Sequence, residues 1–174
     1  PAVAARIAAH EKPYRLQTSA PKLMNLHSES KETLEMYGAD PDKPSFARAC
    51  LLARRMIERG VRFINIYHEG WDAHSDVAGN LRGNCAATDR ASAALIKDLK
   101  ARGLLDETLV IWGGEFGRTV YSQGALTKDN YGRDHHGRCF TMWMAGGGVK
   151  GGFSFGETDA YCYHIVQDPV QLPA

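Results

Sequence analysis

The order of apolar patterns between Ser45 and Trp112 constrains the fold of this chain more than any other feature. Ser45 can cap a helix in which Phe46, Cys50, Ala53 and Ile57 recur at helical spacing, with Ala49, Leu52 and Met56 beside them; Gly60 ends it. Val61–His68 then reads as a buried strand, because Val61, Phe63, Ile64, Ile66 and Tyr67 form a β-rich run. A second helix is predicted over about Asn84–Arg102. Its inner face is Ala87, Ala91, Ala94, Leu95 and Leu99, Lys97, Lys100 and Arg102 suit its C-terminal dipole, and Gly103 stops it. Leu109–Trp112 is a second short strand. Strand, helix and strand in this order form a βαβ unit, so the two strands should run parallel with a right-handed crossover. The expected fold class is α/β, with a mostly parallel central sheet flanked by helices.

Composition narrows the function classes. A chain of 174 residues can bury one real core, and 44% apolar with 24% charged residues is ordinary for a globular domain. No apolar run approaches the roughly 20 residues that span a bilayer. A net charge of +1 gives no reason to expect nucleic acid or an anionic membrane as partner. The four cysteines, Cys50, Cys85, Cys139 and Cys162, form no CxxC pair, which argues against thiolate zinc. Cys50 and Cys85 fall in predicted helices and read as core.

Residues 1–44 are polar and broken by Pro13, Pro21, Pro41 and Pro44, with short helical patterns at about Ala2–Lys12 and Ser30–Tyr37. They are expected to wrap the core rather than build it, so residues 45–174 carry the α/β domain. The chain opens on Pro1 and closes on Pro169-Val170-Gln171-Leu172-Pro173-Ala174, which reads as a piece of a longer protein.

Three glycine-rich segments carry the chemistry: Gly70-Trp71-Asp72-Ala73-His74, Gly113-Gly114-Glu115-Phe116-Gly117-Arg118 and Gly132-Arg133-Asp134-His135-His136. Each sets carboxylate or imidazole groups where glycine lets the backbone approach a ligand closely. Asp72 and His74 follow the first predicted strand and Glu115 follows the second, and open α/β sheets bind ligands beyond those strand ends. His135 precedes a third strand, Cys139–Ala145. It reaches the same edge most simply if that strand is antiparallel; a parallel strand requires the loop to cross back.

Plainer readings stand beside each group. Asp72 and His74 can be a turn aspartate and a surface histidine, Asp134 and His135 a solvated pair, and Glu115 the partner of Arg118 or Arg133. Taken jointly on one edge, Asp72, His74, Glu115 and His135 are the candidate metal ligands. Such a donor set suits zinc or manganese first, with calcium or magnesium as alternatives. Arg118 and Arg133 are the candidate catalytic residues, since guanidinium forks bind phosphate or sulfate oxygens in bidentate fashion; charge balance for the acids is the alternative. His68 is a candidate extra ligand or supporting group, and His136 reads as a neighbour of the site. His10, His27 and His164 have no partner in the pattern.

Two motifs mislead. Gly152-Phe153-Ser154-Phe155-Gly156 matches a nucleophile elbow as a string, but that motif needs a strand before it and a helix after. Gly146–Gly152 lacks the Lys-Ser/Thr of a phosphate-binding loop and reads as a turn between strands.

The stretch from Leu104 to Thr119 (Leu-Leu-Asp-Glu-Thr-Leu-Val-Ile-Trp-Gly-Gly-Glu-Phe-Gly-Arg-Thr), then Gly132-Arg133-Asp134-His135, then Met144–Gly152, resembles the DUF1501 family, abundant in planctomycetes. The likeness runs from about Tyr14 to Thr158. Its members are similar to the alkaline phosphatase and sulfatase superfamily. The resemblance implies an alkaline phosphatase-like sandwich of which this chain is the C-terminal part, and a metal-dependent hydrolase of phosphate or sulfate esters. It implies that Asp72 and His74 bind one metal, that Glu115 sits where an Asp of an Asp-His pair would bind another, and that His135 is a late ligand. Phe116 stands where the His of that pair is expected. The resemblance further implies export to the periplasm, a small-molecule or polysaccharide ester as substrate, and a nucleophile in an N-terminal half. The rival reading is a non-catalytic exported binding or scaffold protein that keeps the fold.

Overall fold

The helices that begin at Lys31 and Phe46 start where the sequence places their serine caps. The computed structural model describes residues 20–124 and 126–170, so the helical pattern at Ala2–Lys12 lies outside the described residues. Helix α1 (Lys31–Tyr37) is capped by Ser30, whose hydroxyl accepts from the Thr33 amide, and it ends at Gly38 in the left-handed conformation. Helix α2 (Phe46–Ile57) is capped in the same way by Ser45, which accepts from the Arg48 amide. Helix α3 spans Val77–Ala101, beginning a full two turns earlier than the apolar pattern implied.

The chain divides into two units. The first comprises the described residues up to Tyr67 together with Ala87–Asp98 of α3. Its core is Leu26, Tyr37, Cys50 and Leu51, each at most 1% exposed, with Ala91, Ala94 and Leu95 from α3. Leu51 lies beside the predicted stripe of α2 rather than on it. This core also holds a charged cluster. Arg54 and Arg55 are buried; Arg54 bonds Glu29 at 2.5 Å, Glu58 at 2.8 Å and Asp98 at 2.9 Å, and Arg55 bonds Glu29 as well. The Tyr37 hydroxyl donates to Asp98 at 3.1 Å. Burial, reinforced by the Asp98 charge, drives the Tyr37 phenol far above its ordinary range.

The second unit, His68–Ala86 with the described residues from Leu99 onward, carries every strand found among the described residues. They are β1 (Val110–Trp112), β2 (Gly117–Arg118), β3 (His135–His136), β4 (Trp143–Ala145), β5 (Glu157–Thr158) and β6 (Ile165–Gln167). They pair as β1–β4, β2–β3 and β5–β6, every pair antiparallel.

This corrects the expected fold class. Among the described residues there is no parallel sheet and no βαβ unit; the architecture is mixed α and β with short two-stranded ladders. The residues of the predicted strand Val61–His68 form no strand, and Phe63 and Tyr67 are 81% and 83% exposed. A β-rich run becomes a strand only where a neighbouring backbone completes its ladder, and none does so here. The strand around Trp143 does run antiparallel to Val110–Trp112, with Trp112 opposite Trp143 and their rings stacked at 6.3 Å. Gly146–Gly152 forms turns between β4 and β5, and residues 153–156 have no helix after them, which removes the nucleophile elbow.

Candidate metal centre

The loop bearing Asp72 and His74 is fixed at its start by the first turns of α3. The Asn80 and Asn84 side-chain amides donate to the Gly70 carbonyl at 2.7 and 2.8 Å. The Asn84 side-chain oxygen meets His68 Nε2 at 2.9 Å, so His68 supports this loop, and the clustered donor atoms are those of Asp72, His74 and His135. Trp71 packs edge-on against Trp112 at 5.8 Å, joining the loop to the β1–β4 ladder.

The far end of the loop is clasped by the segment before β3. The Arg133 amide donates to the Ala73 carbonyl at 2.9 Å, and the Val77 amide to the Tyr131 carbonyl at 3.0 Å. Between them Gly132 lies directly on the His74 backbone, where any Cβ would collide. The β2–β3 ladder then sets Arg118 opposite His135, extended by a Thr119 amide bond to the Asp134 carbonyl at 2.9 Å. Gly117 is equally constrained, since a Cβ there would strike the Cys139 carbonyl.

These supports converge on one atom. Asp72 Oδ1 lies 2.7 Å from His135 Nε2, 2.8 Å from His74 Nε2 and 2.5 Å from an Arg118 guanidinium nitrogen. The hydrogen bonds from His135 first, and then from Arg118, hold the Asp72 carboxyl down at about 2. The two imidazole rings stand 5.0 Å apart at 48°, and the Phe116 ring packs edge-on against His135 at 4.9 Å. His74 Nδ1 is buried and has no hydrogen-bond partner.

Asp72, His74 and His135 offer ligand atoms that all lie within 4.8 Å of one another. Glu115 stands outside that group: its carboxylate binds Arg118 at 2.8 Å and so touches the cluster through the guanidinium. Arg133 turns its guanidinium to the Val120 carbonyl and over the Tyr131 ring, 5.7 Å from the centroid. Arg118 and Arg133 nevertheless share a cleft of about 300 Å³ with Trp71, Ala73, Val77, Leu81 and Tyr131. His136 faces away, with Nε2 at 2.6 Å from the Tyr163 carbonyl.

Sequence reasoning missed the supports rather than the donors. Asn80 and Asn84, one helical turn apart at the start of α3, are a visible signal once that helix is known to begin at Val77. Gly132 had a signal too, as a glycine directly before the Arg-Asp-His run.

The model of the family described as "Protein of unknown function (DUF1501)" matches residues 1–174. No curated protein and no solved structure matches the chain. Among the described residues, no helix is long and apolar enough to cross a membrane.

Proposed function

The chain belongs to the DUF1501 family, and from that premise we propose that it is a metal-dependent hydrolase of the alkaline phosphatase and sulfatase type, acting on a phosphate or sulfate ester. The observation that carries this reading is the convergence of His74 Nε2 and His135 Nε2 on a single Asp72 oxygen. Two imidazoles and a carboxylate within 4.8 Å fit a divalent cation of the zinc or manganese kind by donor chemistry and spacing. A bound cation would polarise the ester oxygen and lower the pKa of an attacking group.

The residues around the ligands have separable tasks. Asp72, His74 and His135 hold the ion. Arg118, already between two carboxylates, presents its fork toward the ester oxygens and gains a free donor face once the cation takes over Asp72. Arg133 flanks the cleft and orients the anionic group. Glu115 tethers Arg118. Phe116, which stands where the resemblance implies a further His ligand, packs its ring on His135 and offers no donor, which favours one ion over two.

A panel of phosphate and sulfate monoesters, assayed with chelator and after zinc or manganese is restored, tests this. Hydrolysis should vanish on chelation and return with metal, and Asp72→Ala should abolish it. Hydrolysis that survives chelation would discard the reading. Metal binding without any hydrolysis would favour the rival, an exported binding or scaffold protein of the same fold.

A further inference from the structure

The cleft shared by Arg118 and Arg133 is a surface of its own beside the ligand cluster, and its walls bear on what the guanidiniums hold. Apart from the two arginines it is lined by Trp71, Ala73, Val77, Leu81 and Tyr131, so its lining includes no carboxylate and no amide side chain. The aromatic walls are fixed in place. The Trp71 ring stands edge-on to His68 at 6.1 Å and to Trp112 at 5.8 Å. Tyr131 is held through its carbonyl, which accepts the Val77 amide at 3.0 Å, and its ring lies under the Arg133 guanidinium. Val77 and Leu81 sit one helical turn apart at the start of α3, which puts them on one face of the helix.

The cleft meets the cluster at one residue. Arg118 lines the cleft and also gives a guanidinium nitrogen to Asp72 Oδ1 at 2.5 Å, while Trp71 and Ala73 flank Asp72 in the chain. An ester group bound by Arg118 at the cluster therefore has its organic part beside this cleft. The walls discriminate between organic parts. A sugar carries a hydroxyl on most of its carbons, and each one stripped of water needs a new partner. Guanidiniums only donate, and the sole side-chain acceptor in the lining is the Tyr131 hydroxyl. A ring without hydroxyls loses nothing there and gains burial against Trp71, Val77 and Leu81. A volume of about 300 Å³ is at the lower end for ligand pockets, which suits one ring and not a chain of sugars.

Resting on the metal-hydrolase reading above, we infer that the cleft selects the organic side of the ester. The substrate class is the phosphate or sulfate monoester of a small alcohol bearing one apolar aromatic ring. Its anion lies at Arg118 and Arg133, and its ring lies against Trp71, Val77 and Leu81. Val77 and Leu81 are the specificity-determining residues, because they supply apolar surface and touch neither the ion's ligands nor the anion.

The test is calorimetric binding of three phosphonates, which an ester hydrolase cannot cleave, to the protein with chelator and with manganese. The probes are phenylphosphonate, methylphosphonate and the phosphonate analogue of glucose 1-phosphate. With manganese, phenylphosphonate should bind about tenfold tighter than methylphosphonate or better, the ratio that burying a ring supplies. The sugar phosphonate should bind no tighter than methylphosphonate. Leu81→Ser changes a side chain that is 44% exposed, and Val77→Thr keeps the shape of the side chain it replaces, so both proteins should fold. Each should cut the phenyl preference by about threefold or more while leaving methylphosphonate affinity in place. Equal affinity for phenyl- and methylphosphonate, tighter binding of the sugar analogue, no binding of any probe, or a phenyl preference untouched in both variants would overturn the inference. Its failure is distinct from that of the hydrolase reading: metal-dependent hydrolysis without a phenyl preference removes only the inference, and a phenyl preference in a protein that cleaves no ester removes only the hydrolase.

Discussion

Gly132 runs so close to the main chain of His74 that no side chain fits between them. The contact is what permits the Arg133 amide to reach the Ala73 carbonyl and the Val77 amide to reach the Tyr131 carbonyl. Gly132→Ala should therefore part this clasp and move His74 away from His135. The expected cost is about 1–3 kcal/mol of stability, the usual range for a forced backbone shift. Chemical denaturation checks it, and ion affinity should fall along with stability. Ala accepted with no change in either would show the contact to be slack.

Glu29 should be among the most sensitive positions in the first unit. It binds both Arg54 and Arg55, whose side chains are only 3% and 7% exposed. Glu29→Ala leaves two buried guanidiniums short of charge compensation and should destabilise by about 3–5 kcal/mol. Replacing the exposed Lys31–Glu35 pair by alanines should cost well under about 1 kcal/mol in the same denaturation assay.

Alkali should act on the same unit. Burial pushes the Cys50 thiol up to about 12, and the Tyr37 phenol rises further for the same reason. In the unfolded chain these groups lose their protons near about 8.5 and about 10. The folded state then holds more protons than the unfolded one, so stability falls as pH rises above about 8.5. Melting temperatures should decline steadily from there toward pH 12, and the decline should be shallower in Tyr37→Phe. An identical slope in that variant would remove Tyr37 from the account.

Much of the candidate centre was legible because its donors are polar residues in glycine-rich stretches, where neither packing nor helix propensity explains them. Asp72, His74, His135 and Arg118 come together as the three segments suggested. Glu115 was legible as a carboxylate near the site, yet its plainer reading as an Arg118 partner is what the side chains adopt. Ser30 and Ser45 could be read as caps because a capping bond spans three residues. Strand pairing is a different matter. Nothing in Val61–His68 specifies which backbone would complete its ladder, so local composition pointed to a strand that does not form. Arg54 and Arg55 were opaque for a related reason. Their burial depends on Glu29, some 25 residues earlier, and an arginine on a helix reads locally as a solvated one.

The most direct test of the account is zinc and manganese binding by calorimetry, at neutral pH, for wild type, Asp72→Ala, His74→Ala, His135→Ala and His136→Ala. The account predicts one ion per chain for wild type and for His136→Ala, whose ring faces Tyr163, and little or no binding for the other three. At a hundredfold excess over the dissociation constant, the ion should add about 2.7 kcal/mol of stability in the binding proteins alone. Binding undiminished in Asp72→Ala and His135→Ala, or no binding in the wild type, would contradict it.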